Sequence, residues 1–212
     1  MIEHLDRELF HKEYLEKGKR LDGRSFNARR QISGTENCIE ESHASSLIKV
    51  GNTIVVTKIN LTPQPLAPVI NVNAIRSGVS QIKGQTTIDK TLTATLTLLA
   101  NSMIPHSELE IARPDPNDVF ASSIKLWSYK MAVDICLISD DGGIESASIL
   151  GFQKALSSPD LQIYSLSEEG DLILEEGEKR KLNFLPITSL QFGILNGSLI
   201  CDPTKDEENI VD

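Results

Sequence analysis

The sequence has few of the features that mark membrane, secreted or metal-binding proteins. It contains no run of about 18 apolar residues, so we expect no transmembrane helix and no membrane partner. Its N-terminus is charged and amphipathic, without the apolar centre of a secretory signal. The three cysteines lie far apart and the four histidines are scattered, so neither has the spacing of a metal site. Two cysteines lie in apolar strand contexts, which predicts buried free thiols of an intracellular protein rather than a disulfide.

The motifs of common catalytic sites are also missing. No GxSxG nucleophile turn, no cysteine beside a histidine, no GxxxxGK(S/T) phosphate loop and no GxGxxG fingerprint occurs. A late acidic run that includes Asp202, Asp206 and Glu208 could bind a divalent cation, but an exposed strand end is the simpler interpretation. We therefore predict no metal site and no cofactor.

The balance of charge limits the possible partners. A net charge of −9 and a pI of about 5.0 argue against a free-standing nucleic-acid binder covered in positive charge. Acidic residues concentrate in residues 168–178 and 202–212, which we interpret as solvated loops. The one basic segment is residues 17–30, with six cations among fourteen residues. It is either a solvated loop or a surface for RNA or for an acidic partner.

Hydrophobic patterns predict strands, a helix, a strand, a helix and further strands. Helical periodicity indicates helices over residues 2–17, 85–103 and 144–156, and alternation indicates strands over 69–75 and 125–138. Turn residues indicate hairpins at Gly51-Asn52, residues 168–170 and Asn196-Gly197. Because there is no regular βαβ alternation, this order predicts an α+β fold with helices packed on sheet faces.

Two of these elements predict specific side-chain faces. The 85–103 helix has one apolar stripe, formed by Ile88, Leu92, Leu96, Leu99 and Met103. A two-residue loop at Asn196-Gly197 pairs Phe192 with Cys201 and Ile194 with Leu199. These four residues and Leu190 then share one face of the hairpin.

Residues 140–148 predict a tight turn between a strand and a helix. Gly142 and Gly143 let the backbone turn sharply and approach a ligand, and the helix N-terminus offers unpaired N–H groups to an anion. Glu145 follows in the first helical turn, where its carboxylate takes up the positive potential and repels an anion. The turn has the shape of an anion site but the wrong charge.

Four segments, in order along nearly the whole chain, resemble motifs of the RNase PH-like family. This family includes phosphorolytic exoribonucleases and ring subunits of the RNA exosome. Arg20–Arg24 with Arg29 is similar to R-x-D-G-R…R, and Ser45–Val55 is similar to the G-S-x-x-x-x-G-x-T-x-V hairpin. Asp134–Ser148 resembles the strand, D-G-G turn and helix of the phosphate site. Cys201–Glu208 resembles the D-P-T-x-x-E-E signature of non-catalytic exosome subunits. The resemblance implies an RNase PH-like fold of mixed sheets with helices on their faces and a ribosomal-protein-like β-α topology.

The departures from the family pattern imply a degenerate catalytic site. Active members follow the glycine turn with Thr or Ser and then Arg, where this chain has Ile144 and Glu145. In an I-G-R-S-L-R helix segment, the two arginines are replaced here by Lys90 and Thr93. Glu208 stands in place of the essential aspartate, six residues after Asp202. The resemblance thus implies a non-catalytic subunit that is not an enzyme, and the alternative is an active phosphate-dependent 3′-to-5′ exoribonuclease.

The same resemblance implies an assembly and a location. Non-catalytic members form heterodimers within a six-membered ring of RNase PH-like subunits, capped by RNA-binding subunits. The ring threads RNA during RNA processing, rRNA processing and degradation. Candidate RNA-binding residues are Arg76 and Lys90, each attracting phosphate in a salt-dependent way, with plain surface cations as the alternative. The expected localisation is nucleus, nucleolus and cytoplasm.

We expect residues 1–212 to form a single RNase PH-like domain. The family continues beyond the D-P-T-x-x-E-E stretch with a strand and a long helix, which this sequence lacks. We therefore expect an apolar sheet face that favours association.

Overall fold

Two long strands pair through the middle of the main sheet. The structure, a computed structural model, describes residues 7–76, 87–112, 127–167 and 171–211. The strands of this sheet are β1 (Ile32–Glu36), β2 (Ala44–Val50), β3 (Thr53–Gln64), β4 (Val69–Arg76), β5 (Thr87–Ile88), β6 (Glu110–Ala112) and β7 (Trp127–Ser139). Their spatial order is β1-β2-β3-β7-β4-β5, and β6 pairs with β7. Because β7 is antiparallel to β3 and parallel to β4, the sheet is mixed, as predicted.

The inner faces of these strands follow the predicted alternation. The hairpin at Gly51-Asn52 is confirmed, with Ile48 paired with Val55. Val55, Thr57 and Ile59 on β3 are fully buried. Alternate residues of the neighbouring strands β4 and β7 are buried to within a few per cent as well, namely Ile70, Val72, Ala74, Met131, Val133, Ile135 and Leu137. Alternate side chains therefore form the floor of one apolar core.

The helices are α1 (Arg7–Glu16), α2 (Lys90–Met103), α3 (Ile144–Leu156) and α4 (Lys205–Glu208). The predicted start of the second helix at residue 85 is wrong, since Ile88 lies in β5 opposite Ile75. Asp89 has extended backbone angles, and its side chain accepts a hydrogen bond from the N–H of Leu92 at 3.0 Å. This N-cap begins the helix at Lys90. Residues 85 and 86 lie outside the described residues.

Helix α3 has the predicted bounds and packs closely on β2 and β3. A Cβ on Gly151 would lie 2.9 Å from Thr57 Oγ1, and Ser46 Oγ donates to the carbonyl of Gly151 at 2.7 Å. The absence of a side chain at Gly151 therefore allows this close approach. Among the described residues, no helix is long and apolar enough to cross a membrane.

Two separate hairpins complete the α+β architecture. They are formed by β8 (Asp160–Leu166) with β9 (Leu172–Lys181), and by β10 (Phe192–Leu195) with β11 (Ser198–Cys201). The tip predicted at residues 168–170 lies outside the described residues. The predicted pairs at the last hairpin are confirmed. Its shared apolar face is open to solvent, because Phe192, Ile194 and Leu199 are each about half exposed. The effect of this face on association, and the one-domain interpretation, stay predictions.

Candidate functional site

The two glycines after β7 bring the start of α3 against the end of the chain. Gly142 and Gly143 have φ values of 81° and 67°. A Cβ on Gly142 would lie 2.7 Å from the backbone N of Lys205 and 2.8 Å from the carbonyl oxygen of Pro203. Glycine is required at this position because both the backbone angle and the close contact exclude a side chain. The predicted strand, turn and helix are confirmed.

A carboxylate of the protein itself binds at the N-terminus of α3. The backbone N–H of Gly143 donates to Glu208 Oε1 at 2.7 Å, and the side-chain amide of Gln191 donates to the same oxygen at 2.8 Å. Helix α4, which carries Glu208, is held by a capping box between Thr204 and Glu207. The N–H of the N-cap residue Gly143 is therefore already bonded to an internal anion, which also compensates part of the positive potential at the N-terminus of α3.

A cavity of about 500 Å³ lies beside this turn. Its charged lining residues are Arg76, Asp89, Glu145, Lys205 and Glu208, two cations against three carboxylates. Apolar wall is contributed by Leu92, Ile144, Phe192, Pro203 and Val211. The cavity combines a narrow apolar surface with a small excess of negative charge.

Both cations of the cavity are engaged by carboxylates of the chain. Arg76 Nη2 lies 2.8 Å from Asp89 Oδ2, and its Nη1 lies 3.2 Å from Asp140 Oδ2. Lys205 Nζ lies 3.2 Å from the same Asp140 oxygen. The hydrogen bond from the N–H of Leu92, together with the Arg76 guanidinium, holds the pKa of Asp89 below its ordinary value despite partial burial. These pairs leave little positive charge for an incoming anion.

Glu145 differs from the other carboxylates of the cavity. It is exposed in the first turn of α3. Within the described ranges its side chain makes no hydrogen bond or ion pair. The cavity therefore presents one uncompensated carboxylate to solvent.

Behind the cavity, the basic segment 17–30 folds onto the acidic end of the chain. The guanidinium of Arg20 is fully buried, and its Nε donates to Glu207 Oε1 at 2.9 Å. Arg20 also donates to the carbonyls of Cys201 and Asp202 at 2.8 and 2.9 Å. The interpretation of residues 202–212 as a solvated loop is therefore wrong at these positions, and the solvated-loop alternative for residues 17–30 is wrong at Arg20. Each segment supplies the buried countercharge of the other.

A second buried pair joins Arg30 to Asp202. Arg30 Nη2 lies 2.6 Å from Asp202 Oδ1, and the backbone N–H and Nε of Arg30 donate to Oδ2 at 2.7 and 3.0 Å. Arg30 also donates to the carbonyl of Asp141 in the glycine turn. Burial alone would raise the pKa of Asp202, but hydrogen bonds and charge from Arg30 outweigh it and lower the pKa. This pair anchors the turn from behind.

Several named proteins are similar to this chain in sequence. No family model matches the chain. The Thermococcus kodakarensis protein called "Exosome complex component Rrp42" is 26% identical over 217 residues, covering 94% of this chain and 74% of the relative. The Rrp42 of Thermococcus onnurineus is 28% identical over 215 residues, covering 93% and 74%. This similarity extends along almost the whole chain.

Solved structures agree with the sequence comparison. The Archaeoglobus fulgidus exosome with RNA bound to the active site contains a chain with a TM-score of 0.72 and 24% identity. That match covers 97% of this chain and 78% of the solved one. The chain has an RNase PH-like fold. Rice Rrp46 is a more distant structural neighbour, with a TM-score of 0.59 at 21% identity, over 91% of this chain and 75% of the rice protein.

Three of the predicted degenerate-site residues meet at this cavity. Ile144, Glu145 and Glu208 line it, whereas Thr93 and Asp202 do not. Thr93 Oγ1 accepts a hydrogen bond from the N–H of Ala74 at 3.0 Å and so ties α2 to β4. Asp202 is bound to Arg30. These two side chains therefore lie outside the cavity, held by a contact to a strand and by a buried ion pair. The assignment of all five residues to a degenerate site stays a prediction.

The candidate RNA-binding cations lie at different places. Arg76 lines the cavity with its charge paired to Asp89 and Asp140. Lys90 is exposed at the first residue of α2 and does not line the cavity. RNA contact by either residue stays a prediction.

Two of the three carboxylates that could bind a divalent cation face basic side chains of the chain itself. Both oxygens of Asp202 accept hydrogen bonds from Arg30, and Asp206 Oδ2 lies 3.6 Å from His11 Nε2. In the ranges that the structure describes, no group of three or more His, Cys, Asp or Glu side chains is placed to hold a metal ion.

Sequence reasoning missed Gln191 and the pairing of Arg20 and Arg30 with the acidic segment. Gln191 belongs to no motif, so no signal marked it. The arginines belong to the R-x-D-G-R…R motif. The available signal was the opposite charge of the two segments, with six cations in residues 17–30 and four carboxylates in residues 202–208.

Proposed function

We propose that this chain is a non-catalytic structural subunit of the RNA exosome ring in a eukaryotic cell. It pairs with another RNase PH-like subunit, completes a six-membered ring and supports RNA-binding cap subunits. In this way it serves 3′-to-5′ RNA processing and degradation, including rRNA processing, in nucleus, nucleolus and cytoplasm. Within this role, the sequence resembles the subunit type called exosome component eight, and the assignment to that type stays a prediction.

One contact carries the non-catalytic part of the proposal. Glu208 Oε1 accepts the N–H of Gly143, one of the N–H groups that the N-terminus of α3 would offer to an attacking phosphate. Glu145 adds a second carboxylate beside it, where a guanidinium would provide two donors and a positive charge. Inorganic phosphate would meet two carboxylates and two cations that are already paired, so we expect it not to bind.

The assembly part rests on the relatives. Proteins similar over more than nine-tenths of this chain are called exosome complex components, and similar chains occur in archaeal exosome structures. The exposed apolar face of the β10–β11 hairpin supports a chain that associates with other proteins.

The competing function is an active phosphate-dependent exoribonuclease. One observation favours it, since the Archaeoglobus fulgidus exosome, which contains a chain similar to this one at 24% identity, is described with RNA bound to the active site. The two functions differ in the fate of phosphate at the glycine turn, which makes them separable by experiment.

The first experiment measures phosphorolysis. The purified chain, alone and with its co-purified partners, is incubated with single-stranded RNA and inorganic phosphate, and nucleoside diphosphates are quantified. We expect none from the chain alone. Release of diphosphates that is changed in Glu145→Gln would establish activity at this cavity, whereas equal release by both proteins would reveal a contaminating nuclease.

The second experiment tests the assembly. The full chain is tagged and purified from its native cells at moderate salt, and co-purifying proteins are identified by mass spectrometry. We expect other RNase PH-like subunits in equal amounts together with RNA-binding cap proteins. Recovery of the chain without any RNase PH-like partner would contradict the ring assignment.

A further inference from the structure

The cavity beside the glycine turn has an unused carboxylate and an unused aromatic surface. Glu145 is exposed and makes no side-chain bond in the described part of the chain, although it lines a cavity of about 500 Å³. Phe192 lines the same cavity and is 51% exposed. Volumes of about 300–1,000 Å³ are usual for sites that enclose a small molecule or a side chain.

The charges of the cavity favour a cation over an anion. Arg76 is neutralised by Asp89 and Asp140, and Lys205 lies between Asp140 and Glu208. Glu208 uses Oε1 for Gly143 and Gln191, while its Oε2 lies 3.8 Å from Lys205 Nζ. Among the charged residues that line the cavity, Glu145 is therefore the one whose side chain has no partner in the described residues.

An arginine side chain matches this combination better than other cations. Its planar guanidinium forms two parallel hydrogen bonds to one carboxylate and stacks on aromatic rings, and it loses its hydration more readily than an ammonium group. Attraction between a cation and the face of a phenylalanine ring adds to the pairing. The apolar wall formed by Leu92 and Val211 suits the aliphatic stem of the side chain.

We propose that this cavity binds an arginine side chain of a partner protein, with Glu145 pairing with the guanidinium and Phe192 stacking on it. The inference rests on the proposed function, because one cavity cannot serve both a phosphate and a guanidinium. The cavity, here called the arginine socket, thus binds a basic side chain at the position where an active relative would hold an anion.

The test uses the full chain and a defined probe. Backbone amide shifts are followed by NMR during titration with acetyl-Gly-Arg-Gly-amide, and with the matching citrulline peptide, which has the same shape without the charge. We expect the arginine peptide to move the amides of Gly143, Glu145 and Phe192 and the citrulline peptide to move them at least fivefold less. Equal shifts with both peptides would overturn the proposal.

Two variants locate the binding. Glu145→Gln keeps the size of the side chain and should weaken arginine binding at least fivefold, whereas Glu16→Gln, at an exposed helical position in α1, should leave it unchanged. Phe192→Leu keeps an apolar side chain without the ring and should weaken binding to a smaller degree. Unchanged affinity in Glu145→Gln, or absence of shifts at the cavity, would refute the socket.

Failure of this inference can be distinguished from failure of the proposed function. If neither the arginine peptide nor inorganic phosphate shifts these amides and no nucleoside diphosphate is released, only the arginine socket is refuted. If phosphate shifts the Gly143 amide, both the socket and the non-catalytic assignment are overturned.

Discussion

The replacement Arg20→Met tests whether the basic segment is an internal structural element. The guanidinium is fully buried and makes charge-assisted bonds to Glu207 and to the carbonyls of Cys201 and Asp202. Methionine fills similar volume but leaves the Glu207 carboxylate, with a side chain only 3% exposed, without its countercharge. Removal of one partner from a buried ion pair costs about 3–5 kcal/mol. We expect Arg20→Met to lower the free energy of unfolding by that amount.

The measurement is urea denaturation followed by tryptophan fluorescence and by circular dichroism. Domains of ordinary stability unfold with about 5–15 kcal/mol, so the expected loss is a large fraction of the total. Arg29→Met is the matched control, because Arg29 is an exposed arginine of the same segment. It should change the free energy of unfolding by less than about 0.5 kcal/mol.

A double variant separates the effect of lost packing from the effect of leaving the buried Glu207 carboxylate without its countercharge. In Arg20→Met with Glu207→Gln, the amide oxygen can still accept the N–H of Thr204, which Glu207 Oε2 accepts at 2.8 Å in the native protein. The double variant should therefore be more stable than Arg20→Met alone. If Arg20→Met is as stable as Arg29→Met, or if Glu207→Gln makes it less stable, the buried ion pair does not hold the two ends of the chain together.

The remaining predictions concern the second ion pair and the glycine turn. Because the pKa of Asp202 is lowered in the folded protein, its contribution to stability is present above its ordinary value of 3.8 and is lost as the pH falls below it. The urea midpoint should therefore drop as the pH falls below 3.8, and less steeply in Asp202→Asn; equal slopes would contradict this. Gly142→Ala should destabilise more than Gly18→Ala in the same assay, because both sites have positive φ but only a Cβ at Gly142 meets backbone atoms within 3 Å. Equal losses would show that backbone angle alone decides.

Elements with strong local signals could be predicted from the sequence. The bounds of α3 are given by the glycines before Ile144 and by its helical periodicity. The register of the β10–β11 hairpin is given by Asn196-Gly197, since a two-residue turn leaves one pairing possible. The start of α2 was misplaced because periodicity continued through Ile88, while competition from a strand partner at Ile75 is invisible in the local pattern.

The charges were harder to place than the strands. Composition gives the number of cations in residues 17–30 and of acids in residues 202–208, but not the distance between the two segments. In the folded chain Arg20 meets Glu207 across 187 residues, and Arg30 meets Asp202 across 172. These pairs turn two apparently solvated segments into one buried network.

The sequence by itself determined the kind of site at the turn after β7. Two glycines followed by Ile144 and Glu145 give the shape of an anion site with reversed charge, because backbone freedom and side-chain charge are local properties. Only the tertiary structure decided which groups occupy that site. It placed Glu208 on the N–H of Gly143 and left Glu145 without a partner in the described residues. Hydrogen bonds depend on distances of a few ångströms between residues far apart in the chain, and only the complete fold sets those distances.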